Sequence, residues 1–188
     1  RYLESIRAHF QGLRSYRRFP DDDEFHRDLH TRDLYNFRNR SYWMRRMENY
    51  GRKERVSVDE YTVEHIMPQN ENLSIAWQEA LGPDWERVHH TWLHTIGNLT
   101  LTGYNSEYSD RPFAQKQDMT GGFKESPIRL NKGLGQEKEW NEGTIRMRAD
   151  RLSDTAVHVW TAPGLSDETL ATYHPVPKST VYTINDHP

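Results

Sequence analysis

Glu64-His65-Ile66-Met67-Pro68-Gln69, read with the downstream run Gly97-Asn98-Leu99-Thr100-Leu101 and with Asn105, decides how this chain is organised. The first stretch closes a β-type run from Tyr61 to Met67, stopped at Pro68, which has no N–H for a ladder. The second, Asn98 to Thr102, is rich in Leu and Thr and reads as a partner strand turned at Gly103. A helical section starts at about Asn105 and is broken at Pro112. Strand, turn, strand, helix, with a histidine ending the first strand, describes a ββα-metal unit. A carboxylate, an imidazole and two amides in that frame are what metal-assisted phosphodiester cleavage requires.

Working outward, the remaining pattern is mostly helical. Tyr2, Ile6, Phe10 and Leu13 recur at helical spacing and predict a helix over 2–17, ended by Pro20. Asp21 to Asp23 offer N-caps for a short helix through Leu29. A further helix is expected from Leu34 to about Tyr50, with Tyr42, Trp43, Met44 and Met47 as its apolar stripe and Gly51 as its stop. Ile75–Leu81, Trp85–His94, Phe113–Met119, Ile128–Leu134 and Glu139–Leu152 are also helical in period. Beyond Trp160 the composition turns to Pro, Ser and Thr, with Val181-Tyr182-Thr183-Ile184 strand-like. The expected fold class is therefore α+β, mostly α-helical, with helices surrounding a small ββα-metal unit. Its expected parts are an N-terminal helical region over 1–55, a core with its C-terminal helices over 56–160, and a tail or linker over 161–188.

Composition sets the bounds. At 188 residues the chain suits one well-buried core with a helical appendage, and six Trp, ten Tyr and six Phe supply large burial per residue. It begins at Arg1 with a helical pattern already running, which reads as a piece of a longer protein. The absence of cysteine excludes disulfides and Cys-built zinc sites and fits a reducing compartment. No apolar run approaches the ~18 residues of a membrane span. A formal net charge of -3 is unusual for a phosphate-binding protein. Its distribution matters more than its sum, because Arg38, Arg40, Arg45, Arg46, Arg52, Lys53 and Arg55 cluster just before the motif. Such a run suits a DNA-contacting face and a solvated helix face equally.

Each candidate side chain has a chemical reason. His65 is the candidate general base, since an imidazole with an intrinsic pKa near about 6.5 can accept a proton from water at neutral pH. Glu64 offers oxygen to a hard divalent cation, Mg²⁺ or Mn²⁺. Strand alternation points Glu64 and His65 to opposite faces, so the strand is expected to end or twist there. His90 and His94 are spaced i, i+4 as in zinc proteases, but no Glu follows His90, so the proteolytic base is missing and His94 is assigned to support of the pocket.

The ordered set Glu64-His65-Ile66-x-Pro68-Gln69, Ile96-Gly97-Asn98-Leu99-Thr100-Leu101, Asn105 and Phe113-Ala114-Gln115-Lys116 resembles the C-terminal HNH (His-Me finger) nuclease domain of GmrSD-type modification-dependent restriction enzymes. SspE-like phosphorothioate-sensing DNA nickases are included in that resemblance. Trp140 followed by Ile145-Arg146-x-Arg148 and Leu152 fits it too, and it covers roughly residues 35–160. The resemblance implies an endonuclease or nickase acting on DNA in bacterial, cytoplasmic defence, beside an upstream nucleotide-hydrolysing domain that senses modification. It implies Asn105 as second metal ligand with Glu64. It makes Asn98 the central asparagine that fixes the loop and orients His65 by hydrogen bonding. Arg111 and Lys116 are then expected phosphate contacts, with His94 beside the substrate. Two rival readings are a ββα scaffold that binds DNA without cutting it and an RNA-directed defence nuclease.

Overall fold

The structure is a computed structural model that describes residues 1–173; the strand-like run Val181–Ile184 lies outside the described residues. Strand β1, Thr62–His65, pairs antiparallel with β2, Leu99–Thr102, in the register Thr62↔Thr102, Val63↔Leu101, Glu64↔Thr100 and His65↔Leu99. Both strands are shorter than the runs that predict them. The chain leaves the ladder after His65, and Ile66 N–H makes one last bond to Asn98 O at 2.9 Å. All four β2 residues are buried. A two-stranded ribbon is marginal in water by itself, so this one depends on the helices around it.

Those helices are α1 (Tyr2–Gln11), α2 (Asp22–Thr31), α3 (Arg40–Asn49), α4 (Ile75–Leu81), α5 (Trp85–Trp92), α6 (Asn105–Tyr108), α7 (Phe113–Asp118), α8 (Glu142–Val159) and α9 (Asp167–Ala171). The expected α+β, mostly α-helical class is observed. Asp21 caps α2, accepting from Glu24 N at 2.7 Å. No helix among the described residues is long and apolar enough to cross a membrane.

The chain divides into two compact units, Asp21–Thr161 and a smaller one that, among the described residues, joins 1–20 with 162–173. Residues 21–55, read from sequence with the N-terminal helix, thus share a unit with the strands. In the smaller unit, Gln11 exchanges two bonds with the backbone of Leu165, at 3.0 and 2.9 Å, and Tyr173 donates to Glu4 at 2.7 Å. The start of the expected tail is therefore hydrogen-bonded to α1.

Within the larger unit two apolar clusters lie about the strand pair. One joins Met44, Met47, Leu99, Leu101, Leu130, Ala149 and Leu152 with neighbours from α2. The other joins Ile66, Met67, Trp77, Trp92, Phe113, Trp140 and Ile145. The α3 stripe behaves as packing: Met44 and Met47 are buried and Trp43 stacks on Trp160 at 3.9 Å, while Tyr42 is exposed.

Two expected helices are corrected. Leu34 to Asn39 is not helical, because the N–H groups of Leu34 and Tyr35 both donate to His94 O, and Asp33 accepts Asn36 N at 2.9 Å in a turn. Tertiary bonding thus overrides the apolar period. Residues 128–134 form a 3-10 turn at Arg129–Asn131 and then Gly133 at φ +95°, rather than an α-helix. The wholly buried carboxylate of Glu48 accepts from Arg129 N and Leu130 N, both at 2.9 Å, and pairs with Arg52. Those bonds hold the segment in its tighter form.

Helix α8 backs the site. Asn141 and Thr144 form a reciprocal capping box that starts it at Glu142, and it runs on to Val159, beyond the expected end at Leu152. Arg148, from the run Ile145-Arg146-x-Arg148, is buried and donates to the carbonyls of Ile96, Gly97, Leu99 and Leu130. Gly97 makes this approach possible: a Cβ there would sit 2.5 Å from Ile145 O and 2.9 Å from Ile145 Cγ2. Gly97→Ala is expected to destabilise the fold by roughly 1–3 kcal/mol, an overpacking cost, read as a lowered urea midpoint. An unchanged midpoint would show that α8 does not press on the start of β2.

Candidate active site

Strand alternation sends Glu64 and His65 to different neighbours. Glu64 meets α7. Its Oε1 accepts from Lys116 Nζ at 2.7 Å, and the same ammonium donates to His65 O at 2.9 Å and lies 5.7 Å from the Tyr108 ring centre. Lys116 is wholly buried. Pro112 at the N-cap starts α7 so that one turn later Lys116 faces the strand. Lys116, expected at phosphate, instead has its ammonium inside, bonded to Glu64 and to the His65 carbonyl. Burial pushes the Glu64 carboxyl above its ordinary range, against the opposing pull of Lys116. Burial likewise pushes the Lys116 ammonium below its ordinary value, opposed by Glu64.

His65 turns to the other side. Its Nε2 lies 3.0 Å from Nδ1 of His94, and the Tyr35 ring is tilted against it with centres 4.3 Å apart. Tyr35 also stacks on His94, centres 5.2 Å apart and planes within 12°. Burial chiefly, then the neighbouring His94, Lys116 and His89, pushes the His65 imidazole down to about 3, with Asp33 pulling the other way. His65 is thus held neutral at pH 7.

Asn98 is fully buried and makes four bonds. Oδ1 accepts from Met67 N at 2.7 Å and Trp140 Nε1 at 3.2 Å, and Nδ2 donates to the carbonyls of Met67 and Leu93, each at 3.0 Å. It fixes the backbone that follows His65, as expected of a loop-holding amide. It does not bond the imidazole, however; His94 does. Asn105 is exposed at the start of α6, and its Nδ2 donates to Thr62 Oγ1 at 3.0 Å and Val63 O at 3.3 Å. It is therefore tied to β1 one residue before Glu64. Arg111 is exposed, its Nε donating to Glu107 O at 2.7 Å, and Trp77 bonds its carbonyl.

The site thus has two halves sharing β1, Glu64 with Lys116 and His65 with His94, while Asn105 is bonded to the same strand. His94 also lines a cleft of about 830 Å³ with Asp33, Gln69, Glu71, Trp85 and His89. His89 meets Pro68 O at 2.8 Å, so the neighbouring histidines take separate partners. Burial raises the Asp33 carboxyl, but bonds from Asn36 and the nearby His94 more than offset it and leave it below its ordinary value. Sequence reasoning missed Asp33 and Tyr35. They stand in a loop far from the motif, and no spacing marks them. Their one sequence cue is Asp33 with Asn36 as a turn.

Two outcomes follow for stability. Lys116→Met leaves the Glu64 carboxylate buried without its cation and should cost roughly 3–5 kcal/mol. The double variant with Glu64→Gln should cost less than the two single changes added; additivity in urea melts would show that the pair is uncoupled. For pH, His65 takes up a proton near 6.5 when unfolded but only near about 3 when folded. The stability tied to its neutral burial is complete above pH ~6.5 and lost as pH falls toward ~3. Between pH 6 and 5 the parent should lose on the order of 1 kcal/mol more than His65→Gln, and identical slopes would refute the shift.

Among known protein families, the model described as "GmrSD restriction endonucleases, C-terminal domain" matches residues 19–155. No curated protein and no solved structure gives a significant match. The match covers both strands, Glu64, His65, Asn98, Asn105 and Lys116. The chain belongs to the family of C-terminal domains of the GmrSD restriction endonucleases.

Proposed function

We propose that this domain is a Mg²⁺-dependent HNH DNA endonuclease, cutting one strand or both, in a restriction enzyme directed at foreign or modified DNA. The observation that carries this reading is the strand pair itself. Within a family of restriction endonuclease domains, β1 ends in Glu64-His65, β2 is preceded by Asn98, and α6 begins with Asn105, bonded back to β1.

The donor chemistry fits a hard divalent cation. Among the described residues no group of three or more His, Asp or Glu side chains could hold a metal, so a protein-only cage is not on offer. Mg²⁺ does not need one, since it commonly takes one or two protein oxygens and fills its shell with water and phosphate. Glu64 supplies a carboxylate. Asn105, whose Nδ2 is engaged by Thr62 and Val63, retains its amide oxygen as donor. When bound, such a cation supplies positive charge at the scissile phosphate and the leaving oxygen.

The chain's own residues do the rest. His65 takes the proton of the attacking water, its neutral form keeping a lone pair for that step. Asn98 holds the backbone of Met67, which keeps the imidazole at the end of β1. Lys116 ties the Glu64 carboxylate to the His65 carbonyl and keeps the acid in one place. Exposed Arg38, Arg46, Lys53, Arg55 and Arg111 are the phosphate contacts in this reading, positioning DNA without selecting sequence. Arg45 and Arg52 take other partners, Asp59 and Glu48.

Two observations favour a non-cleaving DNA-binding module: Lys116 already pairs with Glu64, and His65 is 4% exposed. Supercoiled plasmid separates the two. With Mg²⁺ the chain should nick or linearise it, EDTA should stop this, and His65→Ala should lose at least about 100-fold in rate while retaining the gel shift. A shift without nicks in Mg²⁺ establishes the binder, and parental cutting by His65→Ala removes His65 as the base.

A further inference from the structure

An imidazole can serve as base only through a ring nitrogen that carries no proton and accepts no other bond, so its second nitrogen must hold the proton. In this structure that second nitrogen has an unusual partner. Nε2 of His65 lies 3.0 Å from Nδ1 of His94, another imidazole, so one proton lies between two nitrogens that could each own it. If His94 owned it, His65 would carry its proton on Nδ1 and accept a bond at Nε2, leaving no bare nitrogen. If His65 owns it, Nδ1 of His65 is bare and His94 carries its own proton on Nε2.

Several contacts hold His94 and its ring in place beside His65. The His94 backbone carbonyl accepts from Leu34 N at 2.9 Å and Tyr35 N at 3.4 Å, and the Tyr35 ring lies nearly parallel to the His94 ring while tilted against that of His65. The same loop carries Asp33, fixed by Asn36 N at 2.9 Å and Asn36 Nδ2 at 2.8 Å, which lines the same cleft as His94.

We propose that His94 is the positioning residue that sets the tautomer of His65, so that the nitrogen which meets water is Nδ1 of His65. The proposal rests on the nuclease reading for the tautomer that is needed and for its consequence in rate, while the coupling of the two rings rests on their 3.0 Å contact. Tyr35 keeps both rings in register.

The test reads both quantities in the whole chain. Long-range ¹H–¹⁵N spectra of histidine-labelled protein, assigned with His65→Gln and His94→Asn, should show the parent His65 protonated on Nε2. His94→Ala should convert His65 to a mixture of tautomers. His94→Asn, whose side-chain oxygen can accept where Nδ1 did, should restore the Nε2–H form. In plasmid cleavage His94→Ala should lower kcat roughly 10–100-fold with KM little moved, and His94→Asn should recover most of that loss. A merely structural His94 would give equal losses in both variants, tracking their thermal stability, and would overturn the proposal. So would a parent His65 protonated on Nδ1, or a tautomer unmoved by His94→Ala. If the parent cuts no DNA, the nuclease reading fails and the spectra alone still decide the tautomer.

Discussion

The side chain of Asn98 is the constraint on which the rest of the larger unit depends. A primary amide can make four hydrogen bonds in its plane, and this one makes four while fully buried. Its partners come from three places: the backbone of Met67 just past β1, the carbonyl of Leu93 just past α5, and the indole of Trp140 just before α8. One side chain therefore sets where the first strand ends, where the second begins, and how α8 approaches both. Buried polar groups carry a large cost when unpaired, so any slip in one of these segments would leave part of the amide unsatisfied. The short strands follow from this. His65 is the last ladder residue because the next two N–H groups go to Asn98, one to its carbonyl and one to its side chain.

Around that amide, the charged groups of the interior are handled in different ways. Glu48 is enclosed by backbone N–H groups and Arg52, and Arg148 by four backbone carbonyls. Both tie irregular chain to helix, Glu48 from α3 to residues 129–130 and Arg148 from α8 to residues 96–99. Lys116 differs, since it engages both a carboxylate and a carbonyl of adjacent β1 residues. The first two are structural pins. The third is a pin placed within the residues proposed for chemistry.

Much of this was legible in the residues, for reasons that differ by element. The strand pair was visible because Pro68 and Gly103 bound two runs of β-type residues, and the α2 cap because Asp21 to Asp23 follow Pro20 directly. The loop at 34–39 was not, because its apolar Leu34, Tyr35 and Phe37 imitate a helix while their backbone answers to His94, which lies far along the chain. Lys116 was misread for a related reason: lysine is almost always solvated, and only the position of α7 turns its ammonium inward. For the site, the adjacency of Glu64 and His65 and the loop-holding amide of Asn98 were readable. The partner of the imidazole was not, since nothing in the spacing of His94 distinguishes a ring that faces His65 from one that faces solvent.

The opposite facing of Glu64 and His65 looks at first like an obstacle to joint chemistry, yet it resolves a conflict between them. A carboxylate in direct contact with an imidazole stabilises the imidazolium, which has no lone pair to accept a proton. Alternation along β1 separates the two side chains although their Cα atoms are neighbours. The acid takes Lys116 as its counter-charge and the imidazole takes the His94 ring and the tilted ring of Tyr35. His65 is therefore held as the neutral ring that its proposed role needs, while Lys116 opposes the upward push of burial on the Glu64 carboxyl. A longer or straighter first strand would keep this alternation but lose the close of the ladder at His65. The amide of Asn98 therefore fixes the end of β1, where the proposed acid and base stand, as well as the turn that follows them.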